Sequence, residues 1–364
     1  MANTFKLIRN TDIAAAKTQL HEAIPITGTI VSGTYSDNNI KTYAHGMFES
    51  VYDYPYLSSS ANHIFDVTVG ANPVYLDSVS VTLSSQNQKK RNIYQEFGQV
   101  LVGYDVTGSI REFDVDGVLG TGSTMRSIVA IPFSRLLTKD EIKKESFSMI
   151  IGATVNYNTP FTTRIKIFDS GALNSYKINS PAGEYGLLYA TNSAGAPISG
   201  TAIQAGGASA QPVGLIYYQA GVAVLNMPAV FDAGQSSIGI LSSSVSYSVG
   251  NTSQGAISTD NINSLADDFR NRIYDISFNN TVELNSTIYF CRADHNEFNY
   301  SANPTYLNSS QIRVKNNSTD VPVSYFTTVG LYSADNELLA VAKLSEPLRK
   351  DPTQNYTIRV RLDY

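Results

Sequence analysis

The sequence predicts a mainly β protein with a few short helices, in a multi-domain, β-sandwich-like architecture. Three observations predict it. Short runs rich in β-branched and aromatic residues recur along the chain, with turn residues near at least one end. Helical periodicity is sustained in only a few places. At 42% hydrophobic and 16% charged, the 364 residues are apolar enough for real cores and more numerous than one core usually fills.

The elements follow in chain order. Ile64-Phe65-Asp66-Val67-Thr68-Val69 reads as a strand. Lys89 to Leu101 reads as a helix because Ile93, Phe97 and Leu101 recur every fourth position, although Gly98 weakens it. Asp105-Val106-Thr107-Gly108 and Asp114-Val115-Asp116-Gly117 read as tight turns, where glycine supplies positive φ. Thr138-Lys139-Asp140-Glu141 has the form of a capping box flanked by a Leu137/Ile142 staple, which predicts a helix starting there. Phe147 to Ile151 and Arg164 to Phe168 are strand runs. A helix is expected from about Asn263 to Tyr274, with Leu265, Phe269 and Ile273 on one face and Asp267 and Asp268 ahead of Arg270 and Arg272. Tyr356 to Leu362 alternates, with Ile358, Val360 and Leu362 facing one way, as a half-buried strand does.

Composition divides the chain into three expected domains. Residues 1–175 form a mixed β domain, and 259–364 a C-terminal helix plus β-hairpin domain. Between them, 176–258 is a Gly/Ala/Ser-rich region, read as an insertion, in which Tyr185 to Phe231 carries no charged residue. Leu215 to Leu225 is expected to supply core strands, and Gln204 to Gln211 a loop facing a neighbour.

Chemistry-bearing motifs are scarce. A net charge of −5 without a basic domain argues against direct nucleic-acid binding. The lone Cys291, in an apolar strand-like run, excludes an internal disulfide and reads as an inert buried thiol. His21-Glu22 begins a zincin-like pattern, but Pro25 stands where the second histidine belongs. Gly120-Thr121-Gly122 lacks the third glycine of a dinucleotide fingerprint. Counting a calcium loop from Asp114 puts Val118, Leu119 and Met125 where a ligand, a glycine and a carboxylate are needed.

Other residues also have bland readings. His21, His45, His63 and His295 are scattered and read as structural. Lys89-Lys90-Arg91 reads as a solvated helix start. Tyr52-Asp53-Tyr54-Pro55-Tyr56 offers a stacking ladder, against a favoured reading in which its tyrosines pack inward. No catalytic, cofactor-binding or metal-binding residue is therefore expected. The start of the chain has no basic-then-apolar leader pattern, and Gly214 to Phe231 is too interrupted for a membrane span.

The C-terminal stretch Phe326-Thr327-Thr328-Val329-Gly330-Leu331-Tyr332-Ser333-Ala334-Asp335-Asn336-Glu337-Leu338-Leu339-Ala340-Val341-Ala342-Lys343-Leu344 reads physically as a hairpin turning at Ser333 to Asn336. It is expected to share a sheet with the last strand. It also resembles a segment recurrent in phage tail-fibre and tail-associated proteins, departing from it at Ser333, where aspartate is usual. Leu20 to Ser60 and Arg91 to Lys144 resemble virion structural proteins of marine contractile-tailed phages. The resemblance implies a non-enzymatic virion component of the tail or baseplate, at a fibre attachment point, made in the host cytoplasm. Its partners would be other virion proteins and copies of itself. The alternatives are a receptor-binding or glycan-processing tail protein, with a host surface glycan as the less favoured partner, and a capsid or neck component.

Overall fold

The computed structural model describes residues 5–25, 37–78, 84–119, 124–152, 159–162, 164–192, 212–231, 257–300, 307–308, 311–312, 319 and 321–364. The protein is mainly β with short helices, as the sequence predicts. Its strands are β1 (Ile13–Pro25), β2 (Ile40–Thr42), β3 (Glu49–Tyr52), β4 (His63–Ala71), β5 (Ser127–Pro132), β6 (Glu141–Ile142), β7 (Ser148–Gly152), β8 (Arg164–Phe168) and β9 (Lys177–Ser180). They continue as β10 (Gly183–Asn192), β11 (Gly214–Tyr217), β12 (Val222–Asn226), β13 (Ile273–Ala293), β14 (Leu307–Asn308), β15 (Gln311–Ile312), β16 (Ser324–Tyr332), β17 (Leu338–Lys350) and β18 (Tyr356–Asp363). The helices are α1 (Pro73–Ser78), α2 (Ser85–Leu101), α3 (Arg135–Thr138), α4 (Ala172–Ser175), α5 (Met227–Phe231) and α6 (Ile262–Asn271).

Contacts divide the chain into a larger unit, Leu20–Val282, and a smaller, discontinuous one, Met1–Gln19 with Glu283–Tyr364. Composition placed the boundaries elsewhere, near residues 175 and 258. Both crossings between the units lie inside strands, β1 and β13.

In the larger unit the sheet runs β13-β7-β8-β10-β11-β12-β5-β4-β3-β2, with β6 on β13 and β9 on β10. Its central strands pair antiparallel, with Leu215 opposite Val224 and Val224 opposite Ala130. Strands β11 and β12 sit mid-sheet and are covered on both faces. Ile216, Ala223 and Leu225 join one core cluster with Leu265 and Phe269 of α6. Their neighbours Leu215, Tyr217, Val222 and Val224 join another with Tyr94 and Leu101 of α2 and Phe113. A strand buried on both faces reads as a continuous apolar run, so these two strands carry no charge. In the first cluster Phe133 meets Phe65, Phe147 and Phe278, so strands distant in the sheet order face one interior.

The α2 helix begins four residues earlier than its periodicity suggested, because the Ser84 hydroxyl accepts from the Asn87 amide as an N-cap. Its Gly98 is there for contact: a Cβ would meet Ile110 at 3.1 Å and the Arg111 carbonyl at 3.2 Å. The capping box at Thr138 does not start a helix. Thr138 instead ends α3, Lys139 turns the chain at φ 51, and Glu141 and Ile142 pair with Thr281 and Asn280. Ile142 is fully buried as a strand residue, and that pairing outweighs the local capping preference.

In the smaller unit, β18 pairs antiparallel with Ser286 to Ala293 of β13 and alternates as expected, Val360 buried and Arg359 and Arg361 exposed. The hairpin β16–β17 forms its own two-stranded sheet, so the expected common sheet with the last strand is not what forms.

Candidate interaction surface

Among the described residues of the smaller unit, the β16–β17 hairpin carries a cluster of exposed apolar side chains. Its register pairs Val329 with Ala342 and Leu331 with Ala340. The turn closes where the Ser333 amide donates to the Glu337 carbonyl at 2.9 Å. Asn336 takes φ 63, a conformation asparagine accepts more readily than most residues. The Ser333 hydroxyl accepts from the amides of Asp335 and Glu337.

The hairpin base is anchored. The Phe326 ring packs edge-on against Phe298 and Tyr356. Lys350 is fully buried, and its Nζ donates to Asn299 Oδ1 at 2.7 Å and to the His295 and Asp351 carbonyls. Towards the tip, one face turns Leu331 inward. On the other face Tyr332, Leu339 and Val341 are 46%, 66% and 52% exposed, and Leu338, opposite Tyr332, is 53% exposed. The Tyr332 ring lies over Gly330, where a Cβ would stand 2.9 Å from it, and Phe5 packs on its rim at 4.8 Å. An isolated two-stranded hairpin is marginally stable in water, and clustered exposed apolar side chains mark contact surfaces.

The larger unit contains an open groove of about 910 Å3 beside α2, lined by Pro73, Val74, Tyr94, Asp105, Glu112 and Asp114 among others. Several of its polar groups are already engaged. Asp105 accepts from the Thr107 hydroxyl and from the Ser109 and Thr107 amides, which together hold its carboxyl below the usual range. The Tyr94 hydroxyl donates to the Met125 carbonyl and accepts from the Phe113 amide. Asp114 is buried, and desolvation and the adjacent Asp116 push it up to about 6. Asp114 and Asp116 build the expected turn, accepting from the Asp116 and Val118 amides, with Gly117 at φ 71.

Across the unit, Asp169 accepts from the Glu145 and Phe147 amides and the Tyr218 hydroxyl, and burial raises it to about 6. It pins the chain reversal at Glu145, which takes φ 61.

The remaining residues singled out by sequence do not converge. His21 bonds Thr281, His45 accepts from the Met47 amide and stacks on Tyr43, and His63 pairs with Asp66. Tyr54 and Tyr56 are exposed at 52% and 36%, with only Tyr52 half-buried, so the inward-packing reading of that ladder does not hold. Lys90 is a second correction. It is fully buried rather than solvated, donating to Asn87 Oδ1, to the Ile257 carbonyl at 2.6 Å and to the Asp260 carbonyl, and burial lowers its pKa to about 8. Those last two partners lie some 170 positions away, so no local signal could have found them.

Cys291 lies half-buried on β13 opposite Ile358, its thiol pushed up by burial. Gly120 to Gly122 and Gln204 to Gln211 lie outside the described residues. Among those described, no helix is long and apolar enough to cross a membrane. No family model matches the chain, and neither a curated protein nor a solved structure matches it.

Proposed function

We propose that the protein is a non-enzymatic virion structural component of a phage tail or baseplate, working through contacts with neighbouring virion proteins and copies of itself. The observation that carries this reading is the β16–β17 hairpin, anchored at its base while Tyr332, Leu338, Leu339 and Val341 stand in solvent. The segment that resembles tail-fibre and tail-associated proteins, Phe326 to Leu344, is this hairpin. A neighbour covering it would complete its burial, as interface cores do.

The test is Leu339→Asp with Val341→Asp, assayed for subunit melting and for incorporation into particles. The expected outcome is a near-normal melting temperature with incorporation lost. Normal incorporation would sink the proposal. A second reading, a glycan-processing tail protein, is favoured only by Glu112 and Asp114 on the groove beside α2. Turnover of host polysaccharide that Glu112→Gln abolishes would select it.

A further inference from the structure

The β16–β17 hairpin holds its exposed apolar side chains between charges of opposite sign. Val341 stands opposite Gly330 and Lys343 opposite Thr328 in unbroken register, so Val341 and Lys343 leave the same face of the strand. Lys343 is exposed on the base side of this patch. Asp335 and Glu337 are exposed at the turn, on the far side of Leu338, Leu339 and Val341. Along the strand the order is therefore acid, apolar, base. Glu337 and Lys343 are on the order of 20 Å apart within one chain, too far to pair with each other. Among the described residues, Asp335, Glu337 and Lys343 take part in no ion pair.

We propose that this face docks against the same face of a second copy of the chain, the two β17 strands running antiparallel about a two-fold axis near Ala340. An acid–apolar–base order is complementary to its own reverse. Lys343 of each copy then faces the Asp335 and Glu337 tip of the other, and the apolar side chains meet between them. Parallel docking would instead set acid against acid and lysine against lysine, which costs affinity. The antiparallel contact uses one patch on both copies, so it closes on itself as a dimer. Tyr332 is suited to its centre. Its ring already lies over Gly330 and against Phe5, so little side-chain freedom remains to be lost, and tyrosine is among the residue types that dominate interface energies. The face is small beside the interfaces of stable dimers, so the pair is weak and concentration-dependent. This inference rests on the reading of the hairpin as a contact surface and names what covers it.

The experiment is sedimentation velocity on the full chain over a concentration series, with thermal melting as the check on folding. Wild type should shift from monomer to dimer as concentration rises. Lys343→Glu alone, and Asp335→Lys with Glu337→Lys in one chain, should each melt like wild type and stay monomeric. Mixed in equal amounts, the two variants should form a heterodimer, because each reversed charge then meets its opposite. A wild-type chain that remains monomeric at every concentration, a trimer or an open polymer in place of a dimer, or variants that associate alone as well as they do mixed would each overturn the proposal. If a variant fails to fold, the wild-type series still decides. The virion reading is separable: a monomeric wild type whose incorporation is lost with Leu339→Asp and Val341→Asp would place a different virion protein on the hairpin and sink only the second copy.

Discussion

Ala223 shows how little room the centre of the sheet leaves. It is fully buried on β12 between Ile216 of β11 and Ile131 of β5, inside a hydrophobic cluster. A carboxylate there would have no partner, and an unpaired buried charge costs several kcal/mol as an order of magnitude. Ala223→Asp should therefore abolish the larger unit's cooperative unfolding transition, as followed by circular dichroism. A melting temperature near that of wild type would contradict the burial. This residue was legible in sequence, because a strand covered on both faces leaves an unbroken apolar run. Lys90 was not. Its charge is held by carbonyls that only the folded chain brings to it, whereas the local pattern of a basic run at a helix start points to solvent.

At the scale of elements, the same contrast separates what a segment prefers from what it pairs with. The α2 and α6 helices and strands β4, β7, β8 and β18 were readable because their apolar periodicity and their tertiary faces agree. The capping box at Thr138 was misleading because Glu141 and Ile142 gain a strand partner in β13 that no nearby residue announces. The exposed hairpin tip was readable as a hairpin, but it stands apart from β18 because β18 pairs with β13 instead. That pairing has a direct consequence. Truncation after Leu348 removes β18 and leaves the backbone of Ser286 to Ala293 on β13 without that partner, an open edge of the kind that recruits other strands. The shortened chain should scatter light and sediment as aggregate under conditions that keep the full chain dispersed. A soluble product with unchanged melting would show that β18 contributes nothing to the fold.

The whole molecule should respond to pH through carboxyls that folding has desolvated. Burial, reinforced by Asp267, raises Glu49 and Asp268 to about 7, and burial raises Asp169 to about 6. A carboxyl raised on folding binds its proton more tightly in the native state than in the unfolded one. Its stabilising contribution is complete below the unfolded pKa, near 4, and is lost as pH rises through the folded value. The loss is about 1.4 kcal/mol per pH unit for each such group across its window. Urea midpoints should therefore fall from about pH 4.5 to 7, and Asp268→Asn should flatten the curve. A midpoint that rises across that interval would refute this. Lys90 acts in a separate window, because its lowered pKa makes stability rise from about pH 8 towards 10.5. The division of the chain also fixes an order of assembly. The smaller unit needs both the first nineteen residues and everything beyond Val282, so during synthesis its opening segment must wait while the entire larger unit emerges from the ribosome. Once β1 and β13 are hydrogen-bonded neighbours, the two waiting segments leave that pair side by side. The folded sheet has by then absorbed the entropy of closing a very long loop, and what remains for the smaller unit is a local search.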